Sequence, residues 1–137
     1  VINADIQFNT VLHNTQWVVG HFHHMALLGM GMVLMGVFYA VLPHLYHKPI
    51  HSEALADIHL WGMLIGGYGW VICWLIPGLE GAPRRWAVEP EAWDVWTKAS
   101  IPFLALLVIA IAVGLYNYVR TITGSPFTVD VERVASV

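Results

Sequence analysis

Three long apolar stretches organise the sequence, and polar segments separate them. The first runs from Gln16 to Leu42 and contains no Asp, Glu, Lys or Arg. The second, Ile58–Ile76, has nineteen residues, and the third is Ile101–Val119. An apolar helix of about 17 to 25 residues crosses a bilayer. The pattern therefore predicts an all-α integral membrane chain with three transmembrane helices, at 16–42, 58–76 and 101–119.

Proline and polar residues predict where these helices end. Pro43 is expected to end the first helix, and 44–57 to form a short polar turn. Residues 77–99 are predicted to form a longer loop. Ser100 is then expected to cap the third helix, with Pro102 in its first turn. The residues that follow Arg120 are expected to form a short tail.

Composition agrees with a membrane location. Of the 137 residues, 58% are apolar and 11% are charged, and the mean hydropathy is +0.64. In a soluble domain, about a quarter of the residues are charged. The net charge of -3 and the lack of a basic cluster exclude nucleic acid as a partner. The expected surroundings are the lipid bilayer. Cys73 is the single cysteine, which excludes a disulfide within the chain and indicates a packing role.

Histidines near the start of the first apolar stretch are the candidate chemistry. An imidazole in hydrocarbon without a partner costs on the order of a few kcal/mol. One interpretation is that His21, His23 and His24 face a water-filled cleft or bond to neighbouring helices. The other starts from spacing: residues two apart on a helix point about 200° away from each other. His21 and His23 then serve different centres, and each imidazole can be an axial ligand of a haem iron.

Two haems bound on opposite faces of one helix are therefore a specific hypothesis, with Phe22 on the short path between them. Histidines elsewhere do not share this pattern. Three of them, His44, His47 and His51, lie in the polar turn. Their spacing lacks the regularity of a zinc motif, and solvated side chains are expected there.

A longer motif carries a family resemblance. Residues 12–23 read LHNTQWVVGHFH, and Pro83-Arg84-Arg85 follows the second apolar stretch. This combination resembles subunit I of the haem-copper terminal oxidases, the cytochrome c or quinol oxidase family, from about Phe8 to about Arg120. Asn14-Thr15 with Trp17 resembles the B-type branch more than the mitochondrial-like branch. The resemblance implies that the three helices form the C-terminal part of a twelve-helix bundle, in a prokaryotic plasma membrane.

The resemblance also implies roles for individual residues. His21 corresponds to the proximal ligand of the high-spin haem and His23 to an axial ligand of the low-spin haem. Arg84 and Arg85 correspond to partners of the haem propionates, whereas paired arginines at a helix end can also be plain interfacial anchors. The chain crosses the membrane an even number of times between His13 and the loop that carries Arg84 and Arg85, the arginine loop. The loop at His13 and the arginine loop are therefore expected on the same face of the membrane.

His13 has two interpretations. In the family it forms part of a magnesium or manganese site with the next residue, which is often Asp. Here that residue is Asn14, and the missing carboxylate argues against a site for a hard cation. The other interpretation is a surface imidazole that is hydrogen-bonded to a propionate or to water.

As the resemblance implies, the full subunit reduces dioxygen to water with electrons from cytochrome c or quinol, coupled to proton transfer. The family's copper ligands and its second low-spin haem ligand lie on earlier helices, and no matching segments occur here. The remaining helices of subunit I and other oxidase subunits are thus the expected partners. A first residue of Val rather than Met agrees with a fragment, a processed product or a portion of a longer chain, and the chain alone is expected to be inactive.

Three alternatives stay open from the sequence. The first is a stand-alone membrane electron-transfer protein, in which His23 residues of two copies hold each haem. The second is a member of the same superfamily that resembles nitric oxide reductase. The third is a degenerate remnant that binds no cofactor and acts only as a helical interaction module.

Overall fold

Helices account for most of the structure, a computed structural model that describes residues 2–85 and 91–124. The described residues contain no β-strand, only an isolated bridge between Thr15 and Pro83. After a short turn at Ile2–Ala4, the helices are α1 (Ile6–Leu12), α2 (Gln16–His23), a π-helix (His24–Gly31), α3 (Met32–Tyr46), α4 (Glu53–Leu79) and α5 (Glu91–Thr123).

Three helical stretches are long and apolar enough to cross a membrane. The first is the continuous run of α2, the π-helix and α3, which has 31 residues, and the others are α4 with 27 and α5 with 33. At about 1.5 Å per residue, the shortest reaches about 40 Å, more than a hydrocarbon core of roughly 30 Å. The predicted all-α membrane fold is confirmed, and each helix contains the apolar stretch expected for it.

The central element is α4. Within α4, 44% of an apolar stretch of 18 residues is buried. The corresponding share is 22% for α5 and 6% for the first helical stretch. Its glycines allow close approach: a Cβ built on Gly62 would lie 2.6 Å from the Ala110 Cβ, and one on Gly66 would lie 2.7 Å from the Leu107 nitrogen. Met63 joins Leu107 and Ala110 in the buried core. Small residues on α4 therefore let the backbone of α5 pack directly against it.

Polar groups fasten the turn between α3 and α4 to the end of α5. Asn117 is fully buried, accepts a hydrogen bond from the Ser52 nitrogen (3.1 Å) and donates to the Ser52 carbonyl (2.9 Å). Two further bonds reach α5 from the same turn, one from Lys48 Nζ to the Ile122 carbonyl and one from the His51 nitrogen to Thr121 Oγ1. A buried amide satisfies both backbone groups of Ser52, as burial requires.

A buried histidine lies close to this turn. His59, on α4, is 2% exposed. Its Nδ1 lies 3.1 Å from the Tyr39 hydroxyl of α3, and its ring fills the space beside Gly114 of α5. One imidazole thus contacts all three membrane helices.

The prediction that Pro43 ends the first helix is wrong. The helix continues to Tyr46, with Pro43 inside it. His47 ends the helix by adopting a left-handed conformation (φ 52°), and its nitrogen donates to the Pro43 carbonyl. Proline is tolerated within membrane helices, where neighbouring groups replace the missing hydrogen bond. The polar turn is correspondingly short, because Ser52 already caps α4 through a bond from the Leu55 nitrogen to Ser52 Oγ.

The expected start of the third helix is also wrong. The structure describes α5 as Glu91–Thr123, so residues 91–99 are helical and do not belong to a loop. Ser100 is buried in mid-helix, where its Oγ donates to the Thr97 carbonyl rather than capping, and Pro102 lies inside the helix. The polar first turns hold Glu91 and Asp94, whose negative charge is favourable at a helix N-terminus. Trp86 of the arginine loop and the tail at 125–137 lie outside the described residues.

The glycine contact between α4 and α5 is directly testable. We expect Gly66→Ala to destabilise the protein by roughly 1–3 kcal/mol, because the new methyl group would meet backbone atoms that cannot rotate away. The measurement is the thermal unfolding midpoint of the purified protein in detergent.

Gly36→Ala is the matched control, since a Cβ at Gly36 meets nothing within 4 Å. Alanine favours a helix over glycine by about 1 kcal/mol, so this variant should be as stable as the wild type or slightly more stable. Equal midpoints for the two variants would show that α4 and α5 do not pack through Gly66.

Candidate functional site

Two loops meet at one end of the bundle. The Gln16 nitrogen donates to the Ala82 carbonyl (2.8 Å), and the Arg84 nitrogen donates to the Asn14 carbonyl (2.9 Å). Thr15 and Pro83 form an antiparallel bridge between these bonds. The prediction that the loop at His13 and the arginine loop share a face is therefore confirmed.

Close helix packing supports this junction. A Cβ built on Gly78, near the end of α4, would lie 2.0 Å from the Trp17 nitrogen, so no other residue fits there without movement. One turn further along, a Cβ on Gly20 would lie 2.9 Å from Leu75 Cδ2. The start of α2 and the end of α4 are thus held in direct contact.

His23 has a fixed orientation at the end of α2. Its Nδ1 lies 2.8 Å from the Val19 carbonyl, one turn earlier. A carbonyl can only accept, so Nδ1 carries the proton and Nε2 has the free lone pair, the form in which imidazole binds a metal. Trp70 and Trp74 of α4 pack edge-on against the ring, at centroid distances of 5.2 and 4.8 Å.

A groove of about 510 Å³ opens beside His23. It brings together the imidazole, both arginines of the loop and apolar side chains from α2. The lining residues are Gln16, Val18, Val19, Phe22, His23, Arg84 and Arg85. No carboxylate is among them, so the groove has basic groups at one end and apolar walls along α2.

The arginines differ in their surroundings. Arg84 is half-buried and donates from Nη2 to Asn14 Oδ1 (2.9 Å), while its buried Nε has no partner. Arg85 is exposed and has a left-handed backbone (φ 66°). Left-handed residues other than glycine are strained and concentrate at functional sites. An unpartnered buried N–H beside a groove without carboxylates fits an acidic ligand.

His21 is separated from this groove. It is half-buried on α2 and does not line the groove. It makes no hydrogen bond or ring contact to the part of the chain that the structure describes. Since α2 is a regular helix through both residues, His21 and His23 project about 200° apart.

His13 is exposed and forms the C-cap of α1, where its nitrogen donates to the Asn9 carbonyl. Within residues 2–85 and 91–124, no group of three or more His, Cys, Asp or Glu side chains could hold a metal ion. The side-chain oxygen of the next residue, Asn14, accepts from Arg84.

Three features of the site were not predicted from the sequence. The π-helix that starts directly after His23 has no evident sequence signal, although such helices often occur at functional sites. Trp70 and Trp74 could have been expected to pair, because residues four apart share a helix face. The bond between Asn14 and Arg84 joins residues seventy positions apart, and only the fold brings them together.

The donor set fits a haem. The oriented His23 imidazole would supply a nitrogen ligand to the iron. Val18, Val19 and Phe22 would supply apolar contact, and the two guanidinium groups would supply N–H donors for propionates. His23, Arg84 and Arg85 are the residues that would hold it. Phe22 is 64% exposed and packs at right angles to the His23 ring.

Comparison with known proteins gives a consistent result. Residues 1–125 match the family described as Cytochrome C and Quinol oxidase polypeptide I. Cytochrome c oxidase subunit 1 of Thermus thermophilus is 35% identical over 128 residues, which covers 86% of this chain and 22% of the relative. Cytochrome c oxidase polypeptide 1 of Halobacterium salinarum is 33% identical over 117 residues, which covers 85% of this chain and 20% of the relative.

A yeast relative agrees with these two. Cytochrome c oxidase subunit 1 of Debaryomyces hansenii is 29% identical over 115 residues, with 84% of this chain and 21% of the relative covered. The chain spans about a fifth of the length of these three curated relatives. The resemblance drawn from the sequence is confirmed, and the chain belongs to the cytochrome c and quinol oxidase polypeptide I family.

Proposed function

We propose that the chain is the haem-ligating C-terminal part of subunit I of a respiratory terminal oxidase, an oxidoreductase with a twelve-helix bundle in a prokaryotic plasma membrane. The complete subunit reduces dioxygen to water with electrons from cytochrome c or quinol and couples this to proton transfer. His21 and His23 ligate the high-spin and low-spin haem irons. Arg84 and Arg85 bind propionates, and the copper ligands belong to other helices.

One observation carries this proposal: a single groove is lined by His23 and by the adjacent pair Arg84 and Arg85, which lies far from His23 in sequence. An imidazole for the iron and guanidinium groups for the propionates are protein groups that suit a haem. The family match and the relatives named cytochrome c oxidase subunit 1 support the same function.

The protein contributes orientation at His23. The bond from Nδ1 to the Val19 carbonyl fixes the tautomer and increases the electron density at Nε2. The edge-on contacts of Trp70 and Trp74 restrict rotation of the ring. His21, on the other side of α2, leaves room for a second centre, and Phe22 lies between the two.

The protein contributes charge at the arginines. Guanidinium groups bind carboxylates through two parallel N–H donors and offset their negative charge. A nearby positive charge also favours an electron on the iron. When bound, haem iron and copper supply the electron-transfer and oxygen chemistry. The residues of this chain hold the reacting centres in place.

A pair of ligand variants tests the assignment of the two histidines in the oxidase that contains this chain. We expect His23→Ala to abolish the low-spin haem bands in a reduced-minus-oxidised spectrum, because the iron loses an axial nitrogen. His21→Ala should retain those bands and lose carbon monoxide binding at the high-spin haem. Oxygen consumption should fall by more than about 100-fold in both, since changes to groups behind metal ligands already cost 10–100-fold.

His44→Ala is the control, because His44 is an exposed residue on α3 away from the groove. It should leave both haem signals intact. A full low-spin spectrum in His23→Ala would show that His23 is not a ligand of that haem. Loss of the same haem in both variants would contradict the assignment of the two histidines to separate centres.

The isolated polypeptide gives a second test. Residues 1–137 expressed alone should neither consume oxygen nor retain haem tightly, because the copper ligands and the second low-spin ligand are proposed to lie on other helices. An oxygen electrode and the haem content after detergent purification measure this. Bis-histidyl bands with a defined haem stoichiometry in the purified polypeptide would favour the stand-alone electron-transfer protein instead.

A further inference from the structure

Asn14 holds Arg84 at two points. Its main-chain carbonyl accepts from the Arg84 nitrogen, and its side-chain Oδ1 accepts from Arg84 Nη2, both at 2.9 Å. The first bond fixes the backbone of the arginine loop, and the second fixes the far end of the side chain. Asn14 itself does not line the groove, so we expect its effect on a ligand there to pass through Arg84.

The backbone at Asn14 explains why an amide residue suits this position. Its φ of 63° lies in the left-handed region, which asparagine and aspartate adopt more readily than other residues with a side chain. Glycine could adopt the same conformation but would lack the acceptor oxygen. Aspartate would supply an oxygen but also a negative charge. Asparagine is the residue that combines this backbone with a neutral acceptor.

Neutrality matters because Arg84 faces the groove with a buried and unpartnered Nε. A carboxylate at position 14 would pair with the guanidinium and compensate its charge. An amide fixes the guanidinium and leaves the full positive charge for the ligand. We propose that Asn14 is a positioning residue that holds Arg84 at the groove without neutralising it, and thereby raises the reduction potential of the haem bound there. This inference rests on the proposed haem site.

The central variant is Asn14→Gly in the haem-loaded oxidase. Glycine keeps the left-handed backbone and removes only the acceptor, so Arg84 becomes free to turn towards solvent. We expect the equilibrium constant for reduction of the low-spin haem to fall about 3- to 10-fold, which corresponds to roughly 30–60 mV at 59 mV per tenfold for one electron. A spectroelectrochemical titration measures this, and an unchanged haem content excludes a folding defect.

His47→Gly is the matched control. His47 is also a left-handed residue with a side chain (φ 52°), but it lies at the other end of the bundle and does not line the groove. The same type of substitution there should leave the potential unchanged. An equal shift in both variants would overturn the inference, because it would reflect a general loosening of the fold.

A double-mutant cycle separates this inference from the proposed function. Arg84→Ala alone should lower the potential, and Asn14→Gly should add no further shift in that background. If Arg84→Ala shifts the potential and Asn14→Gly does not, Asn14 has no positioning role and the haem site stands. If the two shifts add, Asn14 acts independently of Arg84 and the inference fails. If neither substitution has an effect, the propionate role of Arg84 fails as well.

Asn14→Asp provides the second variant if Asn14→Gly does not assemble. It keeps an acceptor oxygen and a side chain suited to the left-handed backbone, while its charge compensates that of Arg84. The expected result is a fall in the reduction potential of the low-spin haem relative to the wild type, because the added negative charge offsets that of the Arg84 guanidinium. An unchanged or raised potential in Asn14→Asp would overturn the inference.

Discussion

The contact between the start of α2 and the end of α4 is the constraint on which the site depends. Gly78 lies against the backbone at Trp17, and the bridge between Thr15 and Pro83 continues this contact into the loops. Close packing in the membrane-spanning part thus fixes the positions of polar groups at its edge. Without it, the imidazole of α2 and the arginines after α4 would not share a groove.

The main features of the fold and part of the site were predictable from the sequence. Uncharged stretches of sufficient length identify membrane helices, because a charged group in hydrocarbon is costly. Counting crossings then places the arginine loop at the same end as His13, and the hydrogen bonds between Asn14 and Arg84 agree. The spacing of His21 and His23 predicts opposite directions, because it depends only on helical geometry.

Helix ends and local distortions were not predictable, for identifiable reasons. Glu91 and Asp94 resemble loop residues in composition, but they extend α5 beyond its apolar part. Pro43 does not stop α3, and a left-handed His47 does. The π-helix after His23 contains Gly29 and Gly31. Regular helices in this chain contain glycines as well, so glycine does not distinguish the π-helix. These features depend on which backbone groups find partners, and that is decided by tertiary contacts.

The anchoring of the turn between α3 and α4 has a consequence for biosynthesis. Both backbone groups of Ser52 bond to Asn117, 65 positions later in the chain. A ribosome delivers the N-terminal helices first, so the hairpin of α3 and α4 enters the membrane before α5, which carries its hydrogen-bonding partner. Until α5 inserts, the Ser52 nitrogen lacks this partner, and the carbonyl accepts only from the Ala56 nitrogen of α4. The hairpin therefore reaches its final form only when α5 is in place.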